Sequence, residues 1–253
     1  MCRYAGANFQ LISELSIPIL NRIVPGGFKY GQLLMVTYEP DSVWYETSLT
    51  IGALGLKNGL RIEYHSYEHI PSEVRSFLAN LGVDVGKLEA EDKLRIEDSY
   101  TGQTGLGLPE MPAGKKVPIQ PLKLSDSSIE FAQHIKAGIP ESDRRLLHID
   151  DNTSILLQYN DEKTIVNFVR TRMIHWARAR ETTYLVSAPS GVASDAFSRQ
   201  LESSFDGKID VKSEEKEGQI QHYLRIRTLR GRPCDSRWRK LRVLENGEVT
   251  LVD

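Results

Sequence analysis

The sequence predicts an α/β protein: a mostly parallel sheet flanked by helices, continued at its C-terminal end by antiparallel strands. Three observations carry this. Short apolar or β-branched runs alternate with segments of helical period as far as residue 204. The run Leu33-Leu34-Met35-Val36 is apolar throughout, which suits a strand buried on both faces. Beyond residue 207 the helical period stops, and strand-like runs are separated by turn residues, among them Asn246-Gly247.

Each element follows from local chemistry. After the strand beginning at Leu33, residues 45–57 carry Leu49, Ala53 and Leu56 at helical spacing and stop at Asn58-Gly59. Residues 60–64 read as a second strand, more polar than the first and so expected nearer an edge. Pro71 suits a first helical position, and Val74, Phe77, Leu78 and Leu81 continue the period to Gly82. Residues 94–97 form a strand. Residues 101–121 hold four glycines and four prolines with no periodicity, which predicts a flexible insert loop. Helices are expected at 127–137, 161–179 and 194–204, and strands at 145–150 and 183–187. The closing strands fall at 208–212, 221–229, 240–244 and 249–252, with a turn at Glu214-Glu215-Lys216-Glu217-Gly218. No internal repeat is present, and residues 1–253 read as one domain.

The totals exclude several classes. Thirty-two basic against 34 acidic residues give a net charge of -2, so nucleic-acid binding has to rest on a local patch. No apolar run is long enough to span a bilayer, and no membrane association is expected; residues 1–8 carry no signal-peptide pattern. Cys2 and Cys234 stand alone, without a disulfide framework or a zinc pattern. The expected location is the cytoplasm.

Pro18 and Leu20, then Gly26-Gly27-Phe28 and Gly31, are followed by a strand, a loop, a helix ending Lys57-Asn58-Gly59, and a strand leading to Glu68. Near the other end stand Tyr223-Leu224-Arg225-Ile226 and Leu229-Arg230-Gly231. In this order the landmarks resemble KaiC-like and RadA-like proteins of the RecA superfamily, over nearly the whole chain outside residues 101–121. The resemblance implies a RecA-like core, side-by-side assembly, and a phosphate loop G-x-x-G-x-G-K-[ST] between the first strand and helix. Glycines there let backbone amides wrap phosphates, while the lysine and hydroxyl hold charge and magnesium.

Counted without gaps, that interval reads Tyr38-Glu39-Pro40-Asp41-Ser42-Val43-Trp44-Tyr45. It contains no glycine. Trp44 falls at the lysine position and Tyr45 at the Ser/Thr position, and Glu39 and Asp41 add negative charge. Losing the lysine and the magnesium ligand alone costs about 3–6 kcal/mol, at roughly 1.5–3 per charged hydrogen bond. That is on the order of a hundred- to ten-thousand-fold in affinity. Tight binding of Mg·ATP, and hence a cofactor, is not expected.

The resemblance also implies paired glutamates after the second strand, but His69 follows Glu68. Asp150 ends the apolar run 145–150 at the position of a magnesium-orienting aspartate; Asp150-Asp151-Asn152-Thr153 equally suits a strand-to-turn ending with a helix cap. Arg230 remains where a trans-acting arginine is expected, and Thr228 replaces a lysine. His65, Glu68 and His69 lack a fourth ligand, so no metal site is expected.

The segment 222–242 carries Arg225, Arg227, Arg230, Arg232, Arg237, Arg239, Lys240 and Arg242 against one acid, Asp235, with Tyr223 and Trp238 interleaved. Such a stripe suits nucleic acid or a subunit interface; equally, its arginines pair with acids such as Glu214, Glu215 and Glu217. Arg170, Arg172, Arg178 and Arg180 add positive charge on a helix whose Phe168, Val169, Met173 and Trp176 are spaced as core. The leading expectation is an ATPase-fold protein without hydrolysis, acting as a regulatory or scaffold partner or a homo-oligomer. The alternatives are a DNA-binding accessory protein of recombination or repair, and a weak nucleotide binder with a remodelled pocket around Trp44, Tyr45 and Asp150.

Overall fold

The computed structural model describes residues 14–101, 124 and 144–252. The expected loop at 101–121 and helix at 127–137 lie outside the described residues, apart from Thr101. The chain enters through a two-stranded antiparallel ribbon, β1 (Glu14–Leu15) with β2 (Phe28–Lys29), which encloses the short helix α1 (Pro18–Asn21). Gly27 turns the chain with φ at 65°, and a Cβ there would stand 2.6 Å from the carbonyl oxygen of Leu15. Only glycine satisfies both demands.

A nine-stranded sheet forms the body. Its strands are β3 (Leu33–Tyr38), β4 (Arg61–Ser66), β5 (Leu94–Asp98), β6 (Leu146–Asp150), β7 (Thr183–Pro189), β8 (Gly207–Lys216), β9 (Gln219–Leu229), β10 (Arg239–Val243) and β11 (Val249–Val252). In space they run β11-β10-β9-β8-β3-β7-β6-β4-β5. From β8 to β5 all neighbours are parallel, and from β8 to β11 all are antiparallel. This is the mostly parallel, antiparallel-edged sheet that the sequence predicts.

β3 lies between β7 and β8, and its apolar run divides between two cores. Leu34 and Val36 pack with Leu49, Ile51, Ile62 and Ile149 beneath helix α2 (Trp44–Lys57). Leu33 and Met35 pack on the other face with Ile165, Val169, Tyr184 and Phe197. Gly55 lets α2 approach the sheet, since a Cβ there would stand 3.1 Å from Ile62.

One local expectation holds and three change. β4 lies next to the edge strand β5 and so nearer an edge than β3, as its polarity predicts. Its polar Glu63 and His65 face polar partners on the two neighbouring strands, His148 and Asp150 on β6 and Arg95 on β5. The helix α4 (Val85–Ala90) after α3 (Pro71–Asn80) has no counterpart in the periodicity; Asp84 caps it, accepting from the Lys87 amide at 3.2 Å. The helix expected at 161–179 is α6 (Glu162–Phe168) and α7 (Ile174–Arg180), joined by a π-helical turn at Val169–Met173. Before it comes the short α5 (Leu156–Tyr159), and α8 (Asp195–Glu202) precedes β8. The β8–β9 turn is shorter than expected, because Glu217 and Gly218 both adopt positive φ (54° and 72°) and close the hairpin in two residues. Among the described residues no helix is long and apolar enough to cross a membrane.

Candidate functional site

The loop from β3 to α2 is stitched to β8. The Glu39 amide donates to the carbonyl of Val211 at 3.0 Å, and the Glu39 carboxylate accepts from the Ser213 amide at 2.8 Å. The Ser213 hydroxyl donates to the carbonyl of Asp41 at 3.0 Å, and the Ser42 amide to that of Glu39 at 2.9 Å. Val43 is buried just before α2. Trp44 opens the helix and points inward: it is 2% exposed, its ring stacks on Tyr38 at 6.2 Å, and its indole N–H donates to the carbonyl of Asp151 at 3.1 Å. Tyr45 turns the other way, stacking on His69 at 3.7 Å and meeting the edge of Phe77 at 5.7 Å. An open depression lies beside it, lined by Tyr45, His69, Glu73, Phe77 and Asn80.

Two adjacent carboxylates end β6 on opposite faces. Asp151 lies on the Trp44 side and accepts from the amides of Tyr67 (2.7 Å) and Glu68 (3.5 Å) and from the Ser66 hydroxyl (3.2 Å). Burial pushes its pKa up to about 7, and the nearby Glu68 charge adds to burial against those amides. Burial first, and then the Glu68 and Asp151 charges, hold the Tyr38 phenol well above its ordinary range. Asp150 lies on the other face, where its Oδ1 is 3.1 Å from His148 Nε2 and 3.5 Å from His65 Nδ1. Burial opposes its ionisation, yet His148 and then His65 hold its pKa down to about 2. Burial likewise opposes charge on His148, but Asp150 and Glu63 outweigh it and lift that imidazole to about 10.

A family model described as "ATPase: KaiC" matches residues 14–251. The chain belongs to the KaiC family. No curated protein sequence matches it. Among solved structures, a KaiC-like protein from the hyperthermophilic archaeon Pyrococcus horikoshii OT3 superimposes with a TM-score of 0.65 at 17% identity, covering 96% of this chain and 99% of that one. At that identity the likeness speaks for the RecA-like fold.

Within this KaiC-family fold, the candidate residues drawn from the sequence divide into separate groups. Tyr38, Trp44 and Glu68 gather around Asp151, which the sequence offered only as a cap. Tyr45 and His69 pair with each other, and His69 Nδ1 faces Glu73 at 3.6 Å. Asp41 is exposed and Asp150 faces away from Trp44. His65, grouped with His69 in the sequence, joins His148 and Asp150 instead. The signal for His148 was its two-residue offset from Asp150, which puts both on one face of a strand.

The arginine-rich end of this KaiC-family chain is largely neutralised within its own sheet. Arg225 and Arg227 both hold Asp210, at 2.7 and 2.8 Å, and Arg237 and Arg239 hold Asp235. Arg230 donates to the carbonyl of Ser203, and Arg232 to those of Gly26 and Gly27, which ties the C-terminal segment to the entry ribbon. Lys212 and Arg225 each lie 4.4 Å from the ring centre of Trp238. The acids are Asp210 and Asp235 rather than Glu214, Glu215 and Glu217; Glu214 is taken by Lys212 and Lys216. Lys240 and Arg242 on β10 remain exposed.

Proposed function

We propose that this KaiC-family domain acts without ATP hydrolysis, as a regulatory or scaffold partner that works through protein contacts. The observation that carries the reading is Trp44: its indole is buried at the position where the family resemblance puts the phosphate-binding lysine, and its N–H is spent on the carbonyl of Asp151. The other groups of the loop are equally committed. The Glu39 and Ser42 amides point into protein carbonyls, and Glu39 and Asp41 bring like charge toward a triphosphate. Asp150, at the position of the magnesium-orienting aspartate, faces two histidines across the sheet. Mg·ATP in the family's usual pose does not fit these residues.

Titration calorimetry of the purified full chain with Mg·ATP tests the reading. No heat of binding is expected into the high micromolar range, and a dissociation constant in the micromolar range or tighter overturns it. Light scattering after gel filtration tests the partner half: assembly of identical chains is expected, and a strict monomer removes self-assembly as the scaffold. The DNA-binding alternative is weaker, because Arg225, Arg227, Arg237 and Arg239 already satisfy Asp210 and Asp235.

A further inference from the structure

On the face of the sheet opposite Trp44, register aligns one row of side chains across three strands: Glu97 of β5, His65 of β4 and Asp150 of β6. The row behind it holds Arg95, Glu63 and His148. His65, His148 and Asp150 each offer one ligand atom, all within 4.8 Å of one another, and the nitrogens that face Asp150 Oδ1 are His148 Nε2 and His65 Nδ1. Asp150 Oδ1 is 3.1 Å from the one nitrogen and 3.5 Å from the other. A tetrahedral ion with bonds of about 2.0–2.1 Å requires ligand atoms about 3.3 Å apart, and these two separations bracket that value.

The other nitrogen of each ring is also held. His148 Nδ1 is 2.8 Å from Glu63 Oε1, and His65 Nε2 is 2.5 Å from the hydroxyl oxygen of Ser99. Metal-ligating histidines are oriented in this way, by a carboxylate or other acceptor that fixes the ring and leaves one lone pair for the ion. The rings of His65 and His148 stand at 87° to each other with centres 6.0 Å apart, and one nitrogen of each faces the same oxygen, Asp150 Oδ1. Glu97 Oε2, 3.9 Å from His65 Nδ1, is the next carboxylate along the row. Two neutral imidazoles and two carboxylates balance a charge of +2. The side chains of His148 and Asp150 are 9% and 6% exposed, which shields the ion from competing water.

We propose that His65, His148 and Asp150, with Glu97 at the fourth position, form a site for a divalent transition metal such as Zn²⁺. Two nitrogen donors favour zinc, cobalt or nickel over magnesium or calcium, which take oxygen. The ion takes the place of the proton that otherwise bridges His148 and Asp150, and pins β4, β5 and β6 together beside the Asp151 turn. The proposal does not depend on the nucleotide reading, since these ligands lie on the other face of the sheet from Trp44.

The test is a Co²⁺ titration of the chelator-stripped full chain, followed in the visible range, with Zn²⁺ equilibrium dialysis alongside. Saturation at one equivalent with the intense bands of four-coordinate cobalt is expected, and Zn²⁺ displaces them. His65→Ala, the more exposed ligand and so the gentler substitution, removes the bands while circular dichroism stays unchanged. Glu63→Gln keeps the bands but weakens binding about 10–100-fold, as loss of an orienting carboxylate does. His222→Ala, on β9, leaves the titration unaltered. A wild-type chain that takes up no ion at one equivalent overturns the proposal by itself, whatever the variants do. Bands that persist in His65→Ala overturn it as well.

Discussion

Asp150 and Asp151 are neighbours in the chain, both buried at the end of one strand, yet their surroundings drive them in opposite directions. Asp150 faces two histidines and is held ionised, with its pKa down to about 2. Asp151 faces backbone amides, a hydroxyl and the Glu68 charge, and is pushed up to about 7. Burial acts on both in the same sense, so the difference lies in the partners. Strand alternation puts one carboxylate on each face, and β4 supplies both environments: His65 and Glu63 on one side, and Ser66 with the Tyr67 and Glu68 amides on the other. One position thus separates a charge-paired network from an acid whose pKa is raised to about 7, on a residue whose carbonyl holds Trp44.

The largest expected effect breaks the Asp151 side. Trp44→Ala removes a buried indole together with the donor to the carbonyl of Asp151, and is expected to lower unfolding free energy by about 3–5 kcal/mol. Trp44→Phe keeps most of the packing and loses the bond, for about 1 kcal/mol. Urea unfolding of the pair separates packing from hydrogen bonding, and equal losses would mean that the indole N–H carries the site.

Asp150→Asn comes next, measured in chelator so that only the ion pairs are read. Removing one partner of a buried pair costs about 3–5 kcal/mol in general. Here Glu63 still accompanies His148, so the lower end is expected. A loss under about 1 kcal/mol would show that Asp150 is no more constrained than its neighbour.

Asp151→Asn sharpens the contrast through pH. The folded pKa of about 7 lies above the unfolded value of about 3.9. The native state therefore binds the extra proton between those values, and wild-type stability falls as pH rises through this window. The amide imitates the protonated acid, with its NH₂ directed at the Ser66 hydroxyl oxygen 3.2 Å away. Each unit of displacement is worth about 1.4 kcal/mol. The variant is expected to gain roughly 1–3 kcal/mol on the wild type between pH 5 and pH 8. A difference that stays flat over that range would place Asp151 among ordinary ionised carboxylates.

How much of this could be read beforehand follows from which interactions are local. The helix from Trp44, the strand from Leu33 and the parallel-then-antiparallel order rest on period and turn residues, which are properties of short segments. Trp44 at the loop's end was reachable by counting. The His65–His148–Asp150 cluster was not, because it depends on β4 pairing with β5 and β6, strands separated in sequence by 27 to 79 residues at their nearest ends. The polarity of Glu63 and His65 was plain and placed β4 near an edge, but without the register it could not name their partners. The partners of the arginines were hidden in the same way: Asp210 meets Arg225 only because Glu217 and Gly218 close the hairpin in two residues.

That hairpin supplies the mildest test. Asp210 is held by two arginines much as Asp150 is held by two histidines, but Arg225 and Arg227 are 31% and 37% exposed, whereas His148 is 9% exposed. Water screens the outer pair, and the contact of Arg225 with the Trp238 ring adds about 0.5–1 kcal/mol at an exposed site. Arg225→Ala leaves Arg227 on Asp210 and is expected to cost about 1 kcal/mol, with the ionic share fading in 1 M salt, where screening acts within about 3 Å. Asp150→Asn should keep its cost in the same salt, because that pair is shielded from ions. If both losses shrink together, the two networks share one environment, and solvent access has to be abandoned as what sets the inner carboxylate apart.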